Sequence, residues 1–283
     1  STPAVVIETG GGACSSEWKL VQKELSKHTT VISYDRAGYA QSSASNKKRT
    51  SKQIATELKL LLKELAIPAP IVLVGASAGG LYVQHFAKLF PEMVAAVVLV
   101  DSFTTRALEI SLIDAPIYNK SLSLPTIIEG LKVMATLDDQ TFKEHIIPFV
   151  SVLYGDTPKI MRSDLLKYYS ERKIYKAAVK EFEQLEKNIE EIKAMSTFPQ
   201  VPLKVIIRDP KKAISLSESF GIPKSEMKKV EKLHYSESEE LLSLSKKSEL
   251  KIFKGSFGSI HINFSKELVS EILDIIEKVK NIK

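Results

Sequence analysis

The chain has 283 residues, 44% hydrophobic and 26% charged, ordinary globular composition with enough apolar material for one large core or a core plus a cap. Twelve glycines and twelve prolines are too few for a linker-rich chain. The net charge of +6 comes mostly from lysines set among glutamates, with no basic run interleaved with aromatics of the kind a nucleic-acid groove needs. Cys14 is the only cysteine, which excludes an intramolecular disulfide and a cysteine metal cluster, and no apolar stretch approaches the roughly 18 residues of a membrane span.

Ala4-Val5-Val6-Ile7 reads as a buried strand ended by Gly10-Gly11-Gly12. Helical spacing follows over residues 15–27 through Trp18, Val21, Gln22 and Leu25. Thr30 to Tyr34 is a second strand, closed by Asp35-Arg36-Ala37-Gly38, and residues 50–65 form a helix with Ile54, Leu58, Leu61, Leu62 and Leu65 on one side. Ile71-Val72-Leu73-Val74 is a third strand, leading through Gly75-Ala76-Ser77-Ala78-Gly79-Gly80 into a helix over residues 80–90, and Val94 to Val100 is a fourth strand ending at Asp101. Strands apolar on both faces that alternate with helices imply a mostly parallel sheet covered on both sides, an α/β fold.

The alternation then stops. Residues 103–198 carry no convincing strand and are mostly helical in pattern. It resumes with Leu203 to Ile207, a helix within 224–245, Leu250 to Phe253, and a last helix from about Ser265 with Leu268, Val269, Ile272, Leu273, Ile276 and Val279 at i, i+3, i+4 spacing. The expected organisation is a core of residues 1–102 and 199–283, interrupted by a helical cap over residues 103–198. Such an insertion emerges at the carboxyl edge of the strands, where open parallel sheets bind ligands. An independent helical module is the alternative.

Gly75-Ala76-Ser77-Ala78-Gly79 matches Gly-x-Ser-x-Gly, and its setting between an apolar strand and a helix is that of a nucleophile elbow. There a sharp turn lifts the serine hydroxyl above the sheet, and side chains two residues before or after it would collide with the neighbouring strand and helix. The helix N-terminus behind Ser77 favours developing negative charge. A tetrahedral intermediate also needs backbone N–H donors. Ala78 is the candidate for one and Gly11, in the loop after the first strand, for the other.

Val5-Val6-Ile7-Glu8-Thr9-Gly10-Gly11-Gly12, the helix containing Trp18, Tyr34-Asp35-Arg36-Ala37-Gly38-Tyr39 and Gly75-Ala76-Ser77-Ala78-Gly79-Gly80 together resemble α/β-hydrolase-fold serine hydrolases of the esterase and lipase type. The resemblance extends past the insertion to Leu244-Ser245. It implies a Ser-His-Asp triad, a cap that shapes the substrate pocket, and no cofactor. The family usually carries two more strands before the Gly-rich loop, so either the mature protein was trimmed or its sheet is smaller. No signal peptide opens the chain; the lone cysteine fits a cytoplasmic location, with export as the alternative if an N-terminal segment was removed.

The order expected on this fold is Ser, acid, His. Of the five histidines, only His261 lies between the last strand and the last helix, where the fold delivers its base. His28 reads as surface, His85 as packing, His145 as a cap residue able to reach substrate, and His234 as solvated on a charged helix. The family tail reads Gly-His-x-Ile-His or close to it, whereas here the segment is Gly258-Ser259-Ile260-His261-Ile262-Asn263. Ungapped alignment puts Ser259 at the usual base position, so His261 serves only if the loop is rebuilt by about two residues. Asp101, ending the fourth strand, is the favoured acid. Asp209 is the alternative, although Arg208 beside it offers a simple ion-pair role, and Asp35 is read as holding its own loop together.

The expected activity is hydrolysis of a small-molecule carboxylic ester by acyl transfer from Ser77, with His261 as base, Asp101 as acid and the N–H groups of Gly11 and Ala78 holding the oxyanion. Apolar cap residues Ile117, Tyr118, Ile127, Leu131, Phe149, Leu153 and Tyr154 are candidates for cap packing or the pocket wall. One alternative is a ligand-binding protein on the same fold without a working base. Another is an amidase, lactonase or C–C hydrolase. Scattered histidines disfavour a metal site, and oligomeric state is open.

Overall fold

The computed structural model describes residues 2–154, 157–195 and 197–281. Six parallel strands form one sheet: β1 Val5–Glu8, β2 Val31–Ser33, β3 Ile71–Ala76, β4 Val94–Val100, β5 Leu203–Arg208 and β6 Ser248–Phe253. Their spatial order is β2-β1-β3-β4-β5-β6. The chain steps to one side of β1 for β2 and to the other for β3, so the strand order reverses at β1. In open parallel sheets the crevice for ligands lies at such a reversal, beyond the carboxyl ends of the strands.

Seven core helices flank or follow the sheet: α1 Lys19–Leu25, α2 Ser51–Glu64, α3 Ala78–Leu89 and, after β5, α10 Pro210–Leu216, α11 Lys224–Ser243, α12 Ile260–Asn263 and α13 Ser265–Asn281. Between β4 and β5 lie α4 Pro116–Leu122, α5 Leu124–Thr136, α6 Asp139–Tyr154, α7 Lys159–Tyr169, α8 Arg172–Phe182 and α9 Leu185–Ala194, with no strand among the described residues. The short helices α10 and α12 have no counterpart in the periodicity reading, because too few residues repeat in each to display a period.

Strand side chains alternate between two apolar layers. Val5, Ile7, Val72, Val74, Val98 and Val100 pack against Trp18 and Val21 on one side and Leu268, Ile272 and Ile276 of α13. Val6, Leu73, Val97 and Leu99 face the other layer with Leu58 and Leu62 of α2, Phe86 of α3 and Leu241 of α11. Along α13 the buried side chains are Leu268, Val269, Ile272, Ile275, Ile276 and Val279, with Leu273 at the margin. Ile272 has no exposed surface, and truncating such a residue to alanine costs about 2–5 kcal/mol.

The insertion is fastened to the sheet by a buried ion cluster. Arg36, 2% exposed, donates to Glu181 of α8 at 2.9 Å through Nε and Nη2, to Glu8 at 2.6 Å, and to the carbonyls of Thr9 and Gly10 at 2.8 Å each. Tyr39 donates to the same Glu181 carboxylate at 2.9 Å. A planar fork of five donors is needed to meet so many acceptors at once, a geometry lysine lacks. The cluster therefore holds the Gly10–Gly12 loop in place and α8 above it.

Candidate active site

The strand–turn–helix at Ser77 is as tight as its glycines suggest. Ser77 adopts φ 49°, ψ −126°, a conformation that costs a non-glycine residue about 1–3 kcal/mol and persists only when its surroundings impose it. A Cβ on Gly75 would meet Gly80 Cα at 2.7 Å, one on Gly79 would meet the Thr9 carbonyl oxygen at 2.3 Å, and one on Gly80 would meet Ser102 Oγ at 1.9 Å. Ser77 N donates to Val100 O at 3.1 Å, and Ser77 O accepts from Gly80 N at 3.0 Å and Phe103 N at 2.9 Å. The backbone is thus tied on both sides. The hydroxyl has no hydrogen-bond partner among the described residues and opens into a cavity of about 920 Å³.

Five of the six strand ends on that side contribute to the cavity. Gly10 and Gly11 follow β1, Ser77 follows β3, Asp101 follows β4, Arg208 ends β5, and Ser259 and His261 follow β6. Ala78 opens α3, so its N–H has no carbonyl four residues back within the helix. A Cβ on Gly11 would meet Phe182 Cζ at 2.7 Å, and one on Gly10 would lie 3.5 Å from Ser77 Cβ. The second glycine therefore keeps the loop free for the aromatic side chain of α8, and the first brings main chain close to the serine.

His261 and Asp101 line the same cavity but do not meet. His261 Nε2 lies 3.0 Å from Glu17 Oε2, and its ring stacks on Trp18 at 4.6 Å between centroids with 13° between planes. Glu17 is 3% exposed. It also accepts from Tyr169 at 2.6 Å and Tyr154 at 3.1 Å. Asp101 instead accepts from Arg208 N at 3.2 Å and Arg208 Nη1 at 3.1 Å, and His234 Nε2 stands 3.3 Å from it. Burial works to raise the Asp101 carboxyl pKa, but Arg208 and His234 prevail and hold it below the ordinary value.

The histidine readings divide. His28 and His145 are exposed, and His85 is buried with Nδ1 2.6 Å from Ser51 Oγ. His234 does not fit the expectation of a solvated residue: α11 turns it inward to the cavity, between Asp101 and Arg208. Burial, reinforced by the Arg208 charge, pushes its pKa down to about 4, so it is neutral at pH 7. Asp209 lies away from the cavity lining, where it caps α10 by accepting from Lys211 N at 2.9 Å and accepts from Gly255 N at 2.8 Å. Its neighbour Arg208 pairs with Asp101 and, at 2.7 Å, with Glu231, rather than with Asp209. Asp35 reaches beyond its own loop, accepting from Ser15 N at 2.8 Å and Ser15 Oγ at 3.0 Å.

Tyr118, Ile127 and Tyr154 from the insertion line the cavity, whereas Leu131 packs among the insertion helices and Ile117 is exposed. The side chains of Phe149 and Leu153 lie outside the described residues. Glu17 and Glu237 are cavity residues that the sequence reading missed. The available hint for Glu17 was its place beside Trp18 in a helix that buries its apolar face. Among the described residues no group of three or more His, Cys, Asp or Glu side chains is arranged to hold a metal ion, and no helix is long and apolar enough to cross a membrane.

A family model described as alpha/beta hydrolase fold matches residues 3–130. An uncharacterized Bacillus subtilis protein, YqjL, is 32% identical over 97 residues, 34% of this chain and 38% of that protein. An AB hydrolase superfamily protein of Gibberella zeae is 31% identical over 97 residues, 34% of this chain and 30% of its own length. The chain thus spans well under half the length of these relatives. Among solved structures, a laboratory-evolved variant of potato epoxide hydrolase superposes with a TM-score of 0.74 at 15% identity, covering 98% of this chain and 93% of that one. An alpha/beta hydrolase enzyme from a Medee basin deep-sea metagenome library gives 0.66 at 19% identity (98% and 90% covered), and a thermophilic esterase from Thermogutta terrifontis 0.65 at 18% (99% and 90%). With six parallel strands in this order, helices on both faces and a strained serine turn at the strand ends, the chain has the α/β hydrolase fold.

Proposed function

We propose that the chain is a serine hydrolase that cleaves small-molecule carboxylic esters, with Ser77 as nucleophile, His261 as general base and Glu17, in place of Asp101, as the carboxylate that positions His261. The observation that carries this reading is the Ser77 turn, a strained conformation whose unpartnered hydroxyl faces the cavity. Strain of this kind is retained where it serves a function.

With Nε2–H directed at Glu17, Nδ1 of His261 is the ring nitrogen left to accept a proton. Ser77 Oγ attacks the ester carbonyl as His261 takes its proton. The N–H groups of Ala78 and Gly11 hold the resulting oxyanion. The C–O bond to the alcohol then breaks, and His261 returns the proton to the departing alcohol. Water, deprotonated in turn by His261, attacks the acyl-enzyme and releases the acid and the free serine. Glu17 stabilises the imidazolium across 3.0 Å, and the hydroxyls of Tyr154 and Tyr169 fix the carboxylate. Asp101 holds Arg208 and His234 in the cavity wall. The insertion serves as a cap, since Phe182 covers the Gly11 loop and Tyr154 and Tyr169 close the wall behind Glu17.

A second reading, a ligand-binding protein without hydrolytic activity, is favoured by the engagement of His261 with Glu17 rather than with Ser77. A fluorophosphonate probe with mass-spectrometric site mapping separates the two. Modification of Ser77 in the wild type that is lost in His261→Ala supports the hydrolase. An unmodified Ser77 in the wild type supports the binding protein. Turnover of p-nitrophenyl butyrate, compared with the matching anilide and a lactone, then distinguishes esterase from amidase or lactonase.

A further inference from the structure

Among the described residues, five carboxyl side chains line the cavity (Glu17, Asp101, Glu109, Glu186 and Glu237) against one arginine, Arg208, in a chain whose net charge is +6. Four of the five are accounted for. Glu17 meets His261 and two tyrosines, Asp101 meets Arg208, Glu109 meets Arg106 at 2.8 Å, and Glu186 is exposed to water.

Glu237 of α11 is different. Its residue is 9% exposed, and Oε1 has only the Thr104 hydroxyl, at 3.3 Å. Oε2 has no hydrogen-bond or ion-pair partner among the described residues, and the residue lines the cavity. The charged groups around it are Arg106 and Glu109 from the segment after β4 and Glu240 on its own helix. Arg106 is already engaged by Glu109 and by the Ser236 carbonyl, and Glu240 accepts from Thr105. Among the described residues no cation forms an ion pair with Glu237.

We propose that the cavity takes substrates bearing a protonated amine, with the Glu237 carboxylate as counter-ion and an aliphatic segment joining that amine to the carbonyl at Ser77. The inference rests on the cavity being the substrate site. A protonated amine supplies both the missing charge and the donor that Oε2 lacks. A neutral ligand end without a donor displaces solvent from that oxygen and gives nothing in return, and a carboxylate adds a further negative charge. Much of the cavity lining is apolar, including Phe103, Leu108, Ile110, Leu124 and Pro125. Burial pushes the Glu237 carboxyl up to about 7, so its charge, and with it the preference for amines, grows between pH 6 and pH 8.

Titration calorimetry with hexylammonium chloride, 1-hexanol and sodium hexanoate on wild type, Ser77→Ala and Glu237→Gln tests this without requiring turnover. At pH 8 hexylammonium is expected to bind wild type and Ser77→Ala at least tenfold more tightly than hexanol, with hexanoate weakest. The preference should fall several-fold at pH 6 and vanish in Glu237→Gln, which keeps its affinity for hexanol. Equal binding of the three ligands by wild type overturns the inference, as does an undiminished preference in Glu237→Gln. Should that variant fail to fold, a wild-type preference that does not weaken from pH 8 to pH 6 overturns it alone. Absence of amine selectivity in the wild type with Ser77 modified by fluorophosphonate removes this inference and leaves the hydrolase. Amine selectivity with Ser77 unmodified removes the hydrolase and leaves an amine-binding cavity.

Discussion

Two imidazoles line one cavity, and their surroundings differ. His261 stacks on Trp18 and shares a carboxylate with two tyrosines, with no ion pair to a cation among the described residues. Next to His234 stand both Asp101 and Arg208, at 3.3 and 3.4 Å from the same nitrogen. That nitrogen can donate to the first or accept from the second, not both. The difference shows what a general base requires. A carboxylate and an aromatic face stabilise the imidazolium as it forms, whereas an adjacent guanidinium opposes it. Both rings border the space above Ser77, so position alone does not choose between them.

The sharpest way to break this comparison is to remove each ring. His261→Ala should lower kcat for p-nitrophenyl butyrate by about 10³–10⁴-fold, and His234→Ala by less than about tenfold. The opposite ranking would transfer the base role to His234. A stability measurement sharpens the other side. The folded-state pKa of His234, about 4, lies below the ordinary value of 6.5. The unfolded chain therefore binds the extra proton, and stability is greatest above pH 6.5 and declines as the pH falls toward 4. His234→Gln should remove about 3 kcal/mol of that decline in urea titrations. His85, also held near 4 by burial, leaves its own share in place. An unchanged pH dependence would mean that His234 is solvated after all.

Glu17→Gln should lower kcat by about 10²-fold with KM nearly unchanged, because it removes support for a charge that forms only during the reaction. Asp101→Asn should alter kcat by less than about threefold; a loss matching that of His261→Ala would restore Asp101 as the acid. An effect between those of Glu17→Gln and Asp101→Asn is expected for Gly11→Ala, whose methyl must displace the Phe182 ring. A fall in kcat/KM of about tenfold is anticipated, and Phe182→Leu in the same chain should recover part of it.

The alternation of helix and strand, the serine turn and the run of helices between β4 and β5 were legible in the residues, since each depends on neighbours in the chain. Val94 to Val100 reads as a strand because all seven residues are apolar, and all seven are buried. The partners of the two histidines were not legible. Glu17 and His261 are separated by 244 positions, and nothing in either neighbourhood announces the other. His234 reads as solvated because its helix is rich in charge, yet α11 packs on the sheet through Leu241 and carries Glu231 and His234 inward to Arg208. Helical periodicity places apolar positions well, but it cannot foresee a charged face turned toward a distant arginine.

By itself the amino-acid order determined roughly where the strands lie, that Ser77 stands on a turn with no space for larger neighbours, and that helices without a described strand fill the stretch between β4 and β5. Those outcomes follow from local sterics and from burial of apolar runs, which act over a few residues. Only the tertiary structure decided that Asp101 belongs to Arg208 and His234, that Glu17 belongs to His261, and that Glu237 lines the cavity. Ion pairs and hydrogen bonds reach only about 3 Å. Their partners are therefore chosen by how the sheet and the insertion bring distant segments together.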